Sequence, residues 1–125
     1  MKNEKVILID DLEIYQRAMK IGEEVWMLVD SWNIWKKDTI GKQLVRAADS
    51  IAANISEGYG RYTYKDRRHF CYISRGSMFE TRTWLQKARD RKIISEETQE
   101  SFSIELNVLH QKLNSYIYAL NKNIE

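Results

Sequence analysis

The chain has 125 residues, 43% of them hydrophobic and 30% charged, a balance that suits one soluble globular domain with a real core. Uncharged runs are short, so no segment reads as membrane-spanning, and the N-terminal MKNEKVILID lacks the long apolar stretch of a signal peptide. The single cysteine, Cys71, cannot form an internal disulfide, and the expected setting is the cytoplasm. The net charge of +2 conceals a polarity along the chain. Arg61 to Lys92 holds ten Lys and Arg against three acids, and the remainder holds ten against fifteen.

Residues 1–9 read as an N-terminal arm, loose or adding a strand, and residues 10–122 as one helical domain. No proline occurs anywhere, and three-four apolar spacing predicts four helices. The first spans about Leu12 to Lys36, with Asp10 or Asp11 as its cap. It carries two apolar stripes, Leu12, Tyr15, Met19, Gly22, Trp26 and Val29 beside Ile14, Ala18, Ile21, Val25, Leu28, Trp32 and Trp35. An arc this wide predicts cover on two sides.

The second helix is expected from about Ile40, capped by Asp38 or Thr39, to near Tyr59, where Gly58 and Gly60 offer a left-handed cap. Leu44, Ala47, Ala48, Ile51, Ala52, Ile55 and Gly58 fall on one face, with small residues for close approach to a neighbouring helix. Beside it runs a polar file of Gln43, Arg46, Ser50, Asn54 and Glu57. Arg46, Ser50, Asn54 and Glu57, with Glu80, read as a structural network pinning the second helix to the third. The same file allows a ligand site.

The third helix is expected from about Tyr64 to Arg91. Its core side reads Phe70, Ile73, Ser74, Ser77, Met78, Thr81, Trp84, Leu85 and Ala88. On the other side Arg68, Arg75, Arg82 and Arg89 recur every seven residues, interleaved with Tyr72, Phe79 and Gln86. Three roles fit this file. It could be solvated surface, although the aromatics count against that. It could be a subunit interface, with the acids Glu13, Glu23, Glu24, Asp30, Glu97, Glu100 and Glu105 offering complementary charge. It could also be a nucleic-acid surface on which guanidinium groups meet phosphates and rings meet bases, with Arg61, Lys65 and Arg67 adding to the positive charge. The fourth helix opens at Ser95, with Glu96 and Glu97 in its first turn and an apolar stripe of Phe102, Leu106, Leu109, Leu113, Tyr116, Leu120 and Ile124. Short loops between long helices predict an all-α, antiparallel up-down four-helix bundle.

Catalytic patterns are absent. His69 and His110 are the only histidines, no Glu-x-x-His pair exists, and His69 and Cys71 lie on different helix faces, so neither a metal nor a cofactor is expected. GYGR closes a helix instead of opening one after a strand, which is no phosphate loop. Trp26, Trp32, Trp35 and Trp84 read as core or interface aromatics.

The run GKQLVRAADSIAANISEGYGR (Gly41 to Arg61), then RGSMFET (Arg75 to Thr81) and WLQKARDRKII (Trp84 to Ile94), resembles the bacterial four-helix-bundle proteins labelled 23S-rRNA intervening-sequence proteins. Asn54, Glu57 and Gly58 match the motif N-I-x-E-G, and Arg75, Gly76, Ser77 and Glu80 match R-G-S-x-x-E. Many members have proline within S-I-P-x-N-I, where this chain has Ala52, a better helix former. The resemblance implies a four-helix bundle assembled as a ring-shaped homopentamer. The related accessory variability protein of diversity-generating retroelements is a positively charged pentamer that binds nucleic acid and a reverse transcriptase. That implies a non-enzymatic protein with RNA or DNA, and a protein such as a reverse transcriptase, as candidate partners. The alternative is an interaction scaffold that uses the arginine file between its own subunits.

Overall fold

A computed structural model describes residues 8–124, so most of the expected N-terminal arm lies outside the described residues. A short 3-10 turn at Ile9–Asp11 leads into α1, Glu13–Asp30. Ile34–Lys36, a π turn at Lys37–Gly41 and Lys42–Tyr59 run on as one helix, α2. α3 spans Tyr64–Asp90 and α4 spans Glu96–Asn121. No strand occurs among the described residues. Each helix packs on its neighbours in cyclic order, α1 on α2, α2 on α3, α3 on α4 and α4 on α1. The fold is therefore a four-helix bundle whose α1/α2 and α3/α4 faces lie on opposite sides.

The boundary between the first two helices differs from the sequence expectation. α1 stops at Asp30, and Asn33 caps α2 by accepting the Lys36 backbone N–H at 3.0 Å. Trp32 and Trp35 keep the helical spacing across this break, which is why the pattern alone reads as one helix. Trp32 does pack against the core, but Trp35 is 73% exposed. Neither Asp10 nor Asp11 caps α1: both lie in the 3-10 turn, and Leu12 occupies the cap position without a side-chain bond. α1 packs on both α2 and α4, but its wide apolar arc is not covered throughout. Ile14, Ala18, Ile21, Val25 and Val29 are buried, while Met19 and Trp26 face out.

The inner face of α2 is as expected: Leu44, Ala47, Ala48, Ile51, Ala52, Ile55 and Gly58 are all buried. The small residues bring α3 close enough for the buried Ser74 hydroxyl to donate to the Ile51 carbonyl at 2.8 Å. At Gly58 the approach leaves no room for a side chain. A Cβ there would stand 2.9 Å from the Phe70 Cβ and 3.1 Å from the Arg67 carbonyl oxygen. The glycine serves packing and not the expected left-handed cap, since Gly60 sits at φ −79° and no glycine has positive φ.

The left-handed residue is Lys92 instead, at φ 60°. It closes α3, with its N–H on the Arg89 carbonyl at 2.9 Å and the Ile93 N–H on the Ala88 carbonyl at 2.8 Å. This is the paired-bond C-terminal cap that usually employs glycine. Thr63 and Ser95 cap α3 and α4 by accepting the N–H groups of Asp66 and Thr98. The core of α3 includes Cys71 in place of the expected Ile73, which is exposed, and Ile117 joins the α4 stripe.

Candidate nucleic-acid interface

Three of the four arginines in the seven-residue file make the same contact. Arg68 donates to the Asn121 side-chain oxygen at 2.8 Å, Arg75 to that of Asn114 at 2.8 Å, and Arg82 to that of Asn107 at 2.7 Å. The asparagines also recur every seven residues and run the opposite way, as antiparallel α3 and α4 require. Rungs on one helix therefore repeat at roughly 10 Å along the axis. The sequence reading did not single out these asparagines.

The chemistry of the rung is specific. Asn is a neutral acceptor, so it fixes one edge of the guanidinium without cancelling its charge. None of the three arginines has a carboxylate partner among the described residues. The remaining N–H groups are left for an anion. The fourth arginine differs: Arg89 pairs with Glu96 at 3.3 Å, and beside it Gln99 donates to Gln86, which donates to Asp90. The uncompensated part of the file is thus Arg68 to Arg82.

Between these rungs stand Tyr72 and Phe79, 41% and 54% exposed. The guanidinium carbons of Arg68 and Arg75 lie 5.8 and 5.2 Å from the Tyr72 ring centre, within cation–π range. Phe79 meets His110 of α4 edge to face, with ring centres 5.4 Å apart. Burial first, and then Arg82 and Arg75, hold the His110 imidazole below its ordinary titration range. Burial also lowers the Arg82 pKa.

The rest of the expected basic set sits at the start of α3. Arg61 is exposed, pairs with Glu57 at 3.1 Å and lies 4.7 Å from the Phe70 ring centre. Arg67 donates to the Arg61 carbonyl at 2.9 Å and covers Tyr64, while Lys65 is exposed. The set therefore falls into two parts, the ladder on the α3/α4 face and a cluster around the α2–α3 turn.

The polar file of α2 bonds along its own helix. Ser50 donates to the Arg46 carbonyl and Asn54 to the Ser50 carbonyl, each at 2.8 Å, Glu57 binds Arg61, and Glu80 accepts from Trp84 of its own helix. A hydrogen bond that does join α2 to α3 comes from Ser74. A side chain one turn along its own helix is nearer than any partner across the interface, so the local bond wins. Cys71 is buried, and burial pushes its thiol up to about 11, the opposite of an activated nucleophile.

The opposite α1/α2 face is mixed in charge and partly apolar. A groove of about 500 Å³ is lined by Tyr15, Met19, Glu23, Asp49 and Ser56 among others. Gly22 keeps it open, since a Cβ there would meet an Asp49 carboxylate oxygen at 2.9 Å. Burial and then Glu23 raise the Asp49 pKa. The exposed Trp26 borders a second hollow with Lys42 and Arg46.

Among known structures, the chain is similar to a Bacteroides thetaiotaomicron protein of unknown function from the S23 ribosomal protein family. The TM-score is 0.77 at 24% identity, over 83% of this chain and 97% of that one. At that identity the likeness concerns the fold. No curated protein matches. The family model for 23S rRNA-intervening sequence proteins matches residues 10–115, from just before α1 to the last third of α4. That span takes in the buried face of α2, the arginine rungs of α3 and two of their three asparagine partners, and by it the chain belongs to the 23S rRNA-intervening sequence protein family.

Proposed function

We propose that the protein is a non-enzymatic, oligomeric bundle that binds nucleic acid, RNA or DNA, through the α3/α4 face. One observation carries this reading: Arg68, Arg75 and Arg82 are oriented by neutral asparagines and keep their full charge beside exposed rings. Fixed cations with open donor edges suit phosphate, and Arg61, Lys65 and Arg67 extend the positive surface toward the α2–α3 turn. A cytoplasmic setting fits the single buried thiol.

A second reading rests on the acidic groove of Glu23 and Asp49, which lies on the side opposite the ladder. Complementary opposite faces would join copies head to tail, and such contacts close into rings or run on as filaments. A pentameric ring is the form that the family resemblance implies. In this scaffold reading the arginines serve subunit contacts. Light scattering on Arg75→Glu plus Arg82→Glu, with and without a mixed RNA pool, separates the two. An intact oligomer that no longer takes up RNA supports nucleic-acid binding, whereas dissociated subunits support the scaffold.

A further inference from the structure

Gly76 lies in the middle of α3, where glycine costs about 1 kcal/mol relative to alanine. Nothing among the described residues requires it: it is exposed, and a Cβ there would meet none of their atoms within 4 Å. The glycines at 22 and 58 have internal reasons, and this one has none. Its place is informative. Tyr72 stands four residues before it and Phe79 three after it, so Gly76 lies between the two exposed rings on the same helical face.

We propose that Tyr72, Gly76 and Phe79 form a slot for an unpaired nucleobase, and that the ligand of the α3/α4 face is single-stranded nucleic acid, a proposal that rests on the nucleic-acid reading above. The rings stand at the two ends, about 10 Å apart along the helix, each offering a face on which a base can stack, and the missing side chain leaves a flat floor between them. Arg68, Arg75 and Arg82 flank the slot at helical spacing, where they would meet the phosphates of the strand whose base is held. A duplex hides its base faces in its own stack, so exposed rings would gain nothing from it, whereas an unpaired strand offers every base face for stacking. Asn114 and Asn121 act as positioning residues, since they hold the two arginines that lie against the Tyr72 ring.

The test is fluorescence anisotropy on the full chain at low salt. Labelled oligo(U), oligo(dT) and a duplex of equal length are titrated with wild type, Gly76→Ala and Phe79→Ala. Single strands should bind at least about tenfold more tightly than duplex, and each substitution should weaken single-strand binding about tenfold while leaving duplex binding unchanged. Gly76→Ala should at the same time raise the melting temperature, so its loss of binding could not come from misfolding. Comparing oligo(U) with oligo(dT) tells which sugar the face prefers. Equal affinity for duplex and single strand, or unaltered single-strand binding by both variants, overturns the slot and leaves the nucleic-acid reading standing. A changed subunit number in Gly76→Ala by light scattering overturns the slot as well, by assigning the glycine to a subunit contact. Absence of salt-sensitive binding to any of the three probes removes both.

Discussion

Arg75 and Asn114 are 39 residues apart in sequence, and the guanidinium donates to the amide oxygen at 2.8 Å. The same seven-residue step on both helices produces the rungs at Arg68–Asn121 and Arg82–Asn107. The contact orients a cation without neutralising it, and that distinction is testable. Asn114→Asp would place a carboxylate on Arg75. Stability should change by less than about 1 kcal/mol, as for other exposed ion pairs. The slope of log affinity against log salt for a single strand should fall by about 0.7, the loss of one phosphate contact. Asn114→Ala should leave that slope intact and weaken binding about three- to tenfold, because the arginine must then be ordered on binding.

His110 adds a pH response to the same face. Its imidazole is held below the ordinary histidine range by burial and by Arg82 and Arg75, so it is neutral in the free protein at pH 7. A bound phosphate would favour the imidazolium. Affinity for nucleic acid should therefore rise as pH falls from about 7.5 toward 5.5, and His110→Gln should flatten that rise. Folding has the opposite sign. A depressed folded-state pKa means that the unfolded chain binds the proton more readily, so the His110 contribution to stability is present above pH 6.5 and is lost as pH falls through the folded pKa. Binding titrations and melting curves of wild type and His110→Gln across that range would register the two directions.

The α2–α3 seam should be the most sensitive part of the fold. Gly58→Ala forces a Cβ to within 2.9 Å of the Phe70 Cβ, and the helices must separate at about 1–3 kcal/mol. Ser74→Ala removes the bond to Ile51 and should cost about 1 kcal/mol. Urea denaturation followed by circular dichroism measures both, and unchanged midpoints would contradict the packing described.

Lys92 offers the reverse experiment. A lysine at φ 60° carries a penalty of about 1–2 kcal/mol that glycine avoids, partly offset by the freedom that glycine gains in the unfolded chain. Lys92→Gly should raise stability by about 0.5–1 kcal/mol, visible as a higher melting temperature.

Much of the fold was legible because the inner face of α2 is unambiguous. Leu44 through Gly58 repeat at helical spacing, and every position assigned to that face is buried. The break before α2 was not legible, because Trp32 and Trp35 continue the period while Asn33 ends it with one side-chain bond. The end of α3 was legible to within a residue of Arg91, but its cap was not: the paired-bond cap normally announces itself by glycine, and here Lys92 fills it. At the candidate interface the arginine file was plain, but its partners were not. Asn107, Asn114 and Asn121 look like ordinary surface residues until the antiparallel register sets them against Arg82, Arg75 and Arg68. Ser50 and Asn54 show the converse, since helical spacing placed them in one file and could not say that each would bond its own backbone.

The central claim is that the uncompensated rungs of α3 bind phosphate. The most direct test is the affinity for a labelled single strand measured from low to high salt. The account predicts a linear fall in log affinity, with a slope of about −2 from three rungs and steeper if Arg61, Lys65 and Arg67 also engage. A flat salt response, or no binding even at the lowest salt, would contradict it.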